Sequence, residues 1–365
     1  MLKMISLTIN YFYYSLLLLN SPKHQTLTMS VVAVVSSHET GKLNAKHLKR
    51  YWSKSILKKD GKLSTDAFIN EWKTDTTLLS VIGLGLEQTV QYVYQQEPSF
   101  EEFENWVLNV SGYPDQEKIN QFNAIFSDNS TLEATTFETK LLTQADWDFW
   151  QQNGYLIIRN AISKEHCDET IKELCDFIGV DRNDPASWYN AHHARQGIMV
   201  QLFQHPTLER NRKADKIKKA FEELWNRTDL WVNTNRVGFN PPETESYKFQ
   251  GPRLHWDASI IPPIQFGTQG ILYLSDTDED QGAFTLVPGF NNRIEDWLKS
   301  LPPEINPRME DLYALGPTPI AANAGDFIIW HHILPHGSSP NTAALPRFVQ
   351  YINYAPVDEN RSESW

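Results

Sequence analysis

The chain has 365 residues but only two cysteines, Cys167 and Cys175. Neither stands in a C-x-x-C pair or at a zinc spacing, so a disulfide scaffold and a thiolate zinc site are both excluded. The two fall in a stretch with helical periodicity. Eight residues along a helix span roughly 12 Å, beyond the reach of a disulfide. Two reduced thiols on an apolar helix face suit a reducing compartment, and a cytoplasmic location is expected. Positive charge is also scarce: Lys and Arg number 33 against 45 Asp and Glu, a formal net charge of −12. An acidic surface is repelled by phosphate backbones and anionic lipid, and no basic stripe with interleaved aromatics offsets it. Nucleic acid is therefore not an expected partner.

Long apolar runs are missing as well. The longest, "ISLTINYFYYSLLLL" at 5–19, is too short to span a bilayer comfortably. With Lys3 ahead of it the run has the form of a signal h-region, yet the following "NSPKHQ" offers no small-x-small cleavage site. Residues 1–28 are expected to be a dispensable or spurious leader, with Met29 opening a more ordinary start. A membrane partner is expected only if that stretch is a working signal. No internal repeat or low-complexity tract is evident, and "GLG" at 83–85 is too little glycine for a phosphate loop.

What the chain does have is a folded protein's composition, 41% hydrophobic with 12 tryptophans, which argues against disorder. From about Asn44 to Asn120 apolar residues recur at helix spacing: Leu48, Tyr51, Trp52 and Ile56, then Phe100, Phe103, Trp106, Val107 and Val110. Ser64, Thr65 and Asp66 offer an N-cap before Phe68 and Trp72, and "SFEE" from Ser99 has the form of a capping box. The segment carries no clustered His, Cys or carboxylate. Residues 29–130 are read as a helical extension for packing or partner contact. A polar stretch at 126–140 looks like a boundary. After it, "TQADWDFWQQNG", "SKEHCDETIKELCDFIGV" and 213–225 read as helices, with "YLIIRNA" as a short strand. From Leu230 short β-rich runs broken by Pro, Gly and Asp dominate. The expected class is mainly β with flanking helices (α+β), an antiparallel sandwich or barrel over 141–365 behind the N-terminal helical extension.

"GPRLHWDASI" at 251–260 carries the chemistry. His255 and Asp257 stand two apart, so on an extended segment both side chains point to one side, while Trp256 faces away. On a helix they would diverge by about 200°. Two His and one carboxylate on one face of a metal form a non-haem iron site. An H-x-D pair alone occurs readily by chance, so a distal third ligand is required. "GDFIIWHHILPHGSSPNTAALPRFVQ" supplies His331, His332 and His336. Strand parity does not choose between His332 and His336. The residues after His336 favour it: Gly337, Ser338, then Arg347 eleven positions on, opening the β-run "RFVQYINY". A buried arginine there is a fit partner for a carboxylate, which guanidinium binds in bidentate fashion.

These residues resemble the phytanoyl-CoA dioxygenase family of Fe(II)- and 2-oxoglutarate-dependent oxygenases. The resemblance covers about residues 141–356 and adds "NGYLIIRNAIS" and "QGILYLSDTDEDQGAFTLVPGF" to the motif set. It implies a double-stranded β-helix (jelly-roll or cupin-like) barrel. It also implies Fe(II) on His255, Asp257 and His336, and 2-oxoglutarate held by Arg347 and Ser338, with Tyr273 nearby. With O2 as co-reactant, the implied outcome is hydroxylation of a C–H bond of a small organic molecule, with succinate and CO2 released. Halogenases of this broad family replace the aspartate with a small residue, and this chain keeps Asp257. No cluster of basic residues marks a CoA site. The competing expectation is a non-catalytic jelly-roll binding module with a helical interaction surface. His192, His193 and His205 read as loop or pocket residues. Arg236 reads equally as a partner for a substrate anion or for a surface acid. "DTDEDQ" at 276–281 lacks EF-hand spacing and reads as a solvated turn. The sequence does not set the oligomeric state.

Overall fold

The structure is a computed structural model that describes residues 34–127 and 140–358. The apolar stretch 5–19 and most of the polar segment 126–140 lie outside those residues. Five helices come first: α1 (Leu48–Lys59), α2 (Trp72–Val81), α3 (Leu86–Gln96), α4 (Phe100–Ser111) and α5 (Gln116–Ala124). The Ser99 capping box forms as its sequence form suggests. The Ser99 hydroxyl accepts from the Glu102 amide, and the Glu102 carboxylate accepts from the Ser99 amide. The cap expected at Ser64–Asp66 does not form. Ser64 and Asp66 instead give their backbone carbonyls to the Ala67 and Ile69 amides, and α2 begins later, at Trp72. The five helices enclose their own apolar cluster around Leu48, Leu78, Val93, Phe103, Val107 and Phe122.

Beyond them come α6 (Gln144–Asn153), β1 (Tyr155–Ile158), α7 (Lys164–Ile178), β2 (Arg195–Gln196), β3 (Met199–Val200), α8 (Pro206–Arg212) and α9 (Asp215–Trp225). Gly154 and Gly179 end α6 and α7 in the left-handed conformation, φ 75° and 67°. The remainder is β4 (Trp231–Val232), β5 (Val237–Asn240), β6 (Thr268–Tyr273), β7 (Phe284–Leu286), α10 (Ile294–Ser300), β8 (Thr318–Pro319), β9 (Phe327–His331), β10 (His336–Ser338), β11 (Arg347–Tyr351) and β12 (Tyr354–Ala355). The sequence texture did not reveal α8 or α10. In α8 the His205 side chain accepts from the Thr207 amide and Pro206 takes the first turn, where its missing N–H costs nothing.

Seven strands form one antiparallel sheet in the order β1-β9-β6-β11-β5-β3-β2. A smaller antiparallel sheet, β10-β7-β8, faces it. This is the jelly-roll barrel of an α+β protein. Alternation sorts the large sheet into two faces. Ile271, Tyr273, Ile328, Trp330 and Val349 point inward against Phe284, Leu286 and Trp256. Leu272, Phe327, Ile329 and Phe348 point outward and are covered by Ile171, Leu174 and Ile178 of α7 and Ile217 and Phe221 of α9. Each such fully buried side chain contributes about 1.5–3 kcal/mol, so the two clusters fix the register that aims the polar residues of the site. Cys167 and Cys175 lie on the buried face of α7 as free thiols. Burial pushes them up to about 12 and about 11, which leaves them unreactive. Among the described residues no helix is long and apolar enough to cross a membrane.

Candidate metal centre

The H-x-D segment is not a strand. It makes a single antiparallel bridge, His255 to His336, with the two residues exchanging both backbone hydrogen bonds at 2.9 and 3.0 Å. On the edge of the segment that faces away from β10, the guanidinium of Arg308 holds two carbonyls. It donates to Trp256 O at 2.8 Å and to Ala258 O at 2.5 Å. Trp256 faces away, as alternation requires. Its indole donates to Ile333 O at 2.7 Å and its ring packs against Phe290 and Trp297. Gly337 lets the segment approach β10: a Cβ there would lie 2.9 Å from Arg253 O and 3.0 Å from Pro252 O.

This bridge brings His255, Asp257 and His336 together, one donor atom from each lying within 4.8 Å of the others. Each histidine faces one carboxylate oxygen. His255 Nε2 is 3.3 Å from Asp257 Oδ1, and His336 Nε2 is 3.3 Å from Asp257 Oδ2. The other ring nitrogens meet backbone carbonyls, His255 Nδ1 at 2.7 Å from Arg253 O and His336 Nδ1 at 3.0 Å from Leu334 O. A carbonyl only accepts, so Nδ1 carries the proton in both rings and Nε2 is the free lone pair. In the neutral rings two Nε2 lone pairs converge with a carboxylate, a donor set that a cation between them completes. Burial disfavours a charged His255, but the neighbouring carboxylate outweighs it and raises the ring's pKa. Burial likewise opposes a charged Asp257, and the two histidines overcome it, holding the carboxyl well below the usual range.

Of the three candidate histidines, His332 and His331 do not join the cluster. His332 Nε2 meets Gln265 O at 2.7 Å and holds the turn before β6. His331 stacks on Trp150 and meets Phe266 edge to face. Burial depresses them to about 4 and about 3, so both rings are neutral.

Arg347 is completely buried. Its Nη2 donates to Ser338 Oγ at 3.2 Å, while Nε and Nη1 are buried with no partner among the described residues. His336 and Ser338 lie two apart on β10, hence on one side of it, so the guanidinium points into the interior that holds the triad. The Tyr273 hydroxyl donates to Ile320 O and accepts from the Phe284 amide, both at 2.8 Å. Burial raises its pKa to about 12 against the opposing pull of Arg347.

Several residues near the triad were not singled out from sequence. Gln269 Nε2 donates to Asp257 Oδ2 at 2.7 Å, and its parity with Tyr273 on β6 was the available signal. The Trp330 ring stands 5.2 Å from that of His336. Arg308 had no signal at all. Other candidates lie elsewhere. His192 and His193 pack against one another with tilted rings, His205 caps α8, and the 276–281 turn uses Asp276 to accept from the Ala324 amide. Arg236 pairs with Glu87 of α3 at 2.6 Å. A second group, His47, Glu71 and Asp75, is also spaced for a metal. There Lys54 Nζ already sits 2.5 Å from Glu71 Oε2 and 2.8 Å from Asp75 Oδ1, and Arg50 forks onto Glu71, so the cationic place is filled by protein.

A jelly-roll barrel with two histidines and one carboxylate converging inside it defines the class of non-haem metal oxygenase folds. The sequence profile described as Phytanoyl-CoA dioxygenase (PhyH) matches residues 150–349, more than half of the chain, and the chain belongs to that family of dioxygenase-type enzymes. It is 24% identical over 262 residues to a Dictyostelium discoideum protein described as "Putative phytanoyl-CoA dioxygenase", covering 58% of this chain and 75% of that one. Similar solved structures include EctD from S. alaskensis with bound Fe, at 14% identity, 63% and 83% coverage and a TM-score of 0.45. Another is the non-heme alpha-ketoglutarate-dependent carbocyclase SnoK from nogalamycin biosynthesis, at 18% identity, 60% and 87% coverage and a TM-score of 0.44.

Proposed function

We propose that this protein is an Fe(II)- and 2-oxoglutarate-dependent dioxygenase that hydroxylates a C–H bond of a small organic molecule. The observation that carries the reading is the Arg347 guanidinium, wholly buried, with two nitrogens unpartnered among the described residues, and held by Ser338 on the same side of β10 as His336. A buried unpaired charge is strongly destabilising, and the distal carboxylate of 2-oxoglutarate is an anion of the right kind to complete it.

In this reading His255, Asp257 and His336 hold the metal through Nε2, a carboxylate oxygen and Nε2. The carbonyls of Arg253 and Leu334 fix both rings in the ligating tautomer before the metal arrives. Gln269 orients Asp257 by donating to one of its oxygens. Arg347 and Ser338 bind the far end of the cosubstrate, with Tyr273 behind them. Bound iron and 2-oxoglutarate supply oxygen activation, with succinate and CO2 as by-products. The chain's own contribution is placement and dryness, through the apolar walls of Trp330, Phe284, Ile271 and Ile328. No side chain is needed as a general base. The two unpaired, buried thiols accord with a cytoplasmic location, which belongs to this proposal.

The test is spectroscopic. Anaerobic Fe(II) with 2-oxoglutarate should give the visible charge-transfer band of a chelated keto acid, and well-folded protein without the band sinks the reading. His336→Ala should abolish the band and 2-oxoglutarate turnover, whereas His332→Ala should keep the band.

A further inference from the structure

We propose that Arg236 anchors the carboxylate of the organic substrate, at the other end of the barrel interior from Arg347, and that the helical segment holds it there through Glu87. The proposal rests on the oxygenase reading above and names the substrate class for the same chamber.

Register sets the placement. Arg347, Val349 and Tyr351 share one face of β11, and β5 pairs with it so that Asn240 stands opposite Arg347 and Gly238 opposite Val349. A Cβ on Gly238 would lie 2.7 Å from Val349 Cγ2 and 3.5 Å from the Tyr351 ring, so this face of β5 looks inward. Continuing the pairing, the Tyr351 amide donates to Arg236 O at 3.1 Å. Arg236 thus belongs to the same inner row, four residues along from Asn240, or about 13 Å of strand.

Its chemistry repeats that of Arg347. The Arg236 side chain is 15% exposed, Nη2 donates to Glu87 Oε1 at 2.6 Å, and Nη1 is buried with no partner among the described residues. Two guanidinium groups with unmet donors therefore stand at opposite ends of one row, and the cosubstrate accounts for one of them. Tyr351 lies between. Its ring is near enough to Asp257, Arg347 and Arg236 for all three charges to act on its hydroxyl. A carboxylate suits the second place. Its oxygens accept from Nη1 and from the Tyr351 hydroxyl, and its single charge tolerates Glu87 better than a phosphate dianion would. An ammonium group would face Arg236 directly. The acid must also be small, because about 13 Å separates the two arginine positions and 2-oxoglutarate fills part of that length.

Isothermal titration of the full chain with straight-chain monocarboxylates from butanoate to decanoate, each beside its amide, tests this. We expect at least one acid to bind about tenfold tighter than its amide, a gap of about 1.4 kcal/mol. The gap should close in R236Q and narrow in R236K, which keeps the charge without Nη1, and it should survive in R347Q. Indifference to the acid, or a preference lost in R347Q and kept in R236Q, overturns the anchor. A parallel titration of 2-oxoglutarate with Mn(II) reports on the oxygenase reading alone. If that fails while the acid preference stands, the anchor is kept and the reaction class is lost.

Discussion

Arg347 is where the proposed chemistry and the stability of the empty fold pull in opposite directions. Its guanidinium is desolvated, touches Ser338 at 3.2 Å, and has two nitrogens without partners among the described residues. Replacing a buried, incompletely paired charge with an apolar group of similar length is neutral or stabilising. Arg347→Met should therefore hold or raise the melting temperature of the ligand-free protein. The same change should weaken 2-oxoglutarate about a hundredfold, since a charge-assisted pair contributes about 3 kcal/mol. Calorimetry and a 2-oxoglutarate titration on one preparation check both signs. A clear drop in melting temperature would show that the guanidinium serves the fold and not the ligand. Arg347 was legible in sequence because its position after His336 and before an alternating strand is a local pattern. Its loneliness was not legible, because what fails to face a side chain depends on every other strand of the barrel.

At the scale of elements, the alternating runs disclosed the strands well. "QGILYLSDT" covers all of β6 but its first residue, "PRFVQYINYA" contains β11 and β12, and α6 and α7 end at Gly154 and Gly179 as those glycines suggest. The H-x-D segment was read as one more strand, and it forms only a bridge. Its other edge is held from a distance. Arg308, fifty residues on in a short 3-10 turn, takes the Ala258 carbonyl, and no periodicity reports such a contact. The pairing of Glu87 with Arg236 was hidden for the same reason. The bridge itself depends on Gly337, where the Pro252 and Arg253 carbonyls stand 3.0 and 2.9 Å from the place a Cβ would take. Both neighbours are backbone and have little freedom to yield. Gly337→Ala should cost about 1–3 kcal/mol of stability by overpacking. It should also part His255 from His336, so that Mn(II) affinity falls at least about tenfold while the far-ultraviolet dichroism stays that of the native fold. Unchanged Mn(II) affinity would mean that the bridge does not set the donor spacing.

For the molecule as a whole, acid should be the weak side of stability, and two histidines outside the triad predict where. His332 is buried against Gln265 O and His331 is partly buried between Trp150 and Phe266, and desolvation depresses His331 to about 3 and His332 to about 4. In the unfolded chain both titrate near 6.5. The folded state thus binds fewer protons than the unfolded state at every pH between those values. Stability is full above about pH 6.5 and falls as pH drops toward 4, by up to about 1.4 kcal/mol per pH unit for each ring. Above pH 7 these two groups contribute no slope. Carboxylates paired in the native state, Asp257 among them, add their own loss lower down, nearer their unfolded pKa of about 4. Urea unfolding at half-unit steps from pH 7.5 to 4.5 should show the decline beginning near 6.5, ahead of the carboxylate range. His331→Phe keeps an aromatic surface for Trp150 and Phe266 and has no proton to gain, so it should flatten the curve between pH 6.5 and 5 by roughly half. A variant curve parallel to the native one would show that His331 is solvated in the folded protein and that its burial against Trp150 is not maintained in solution.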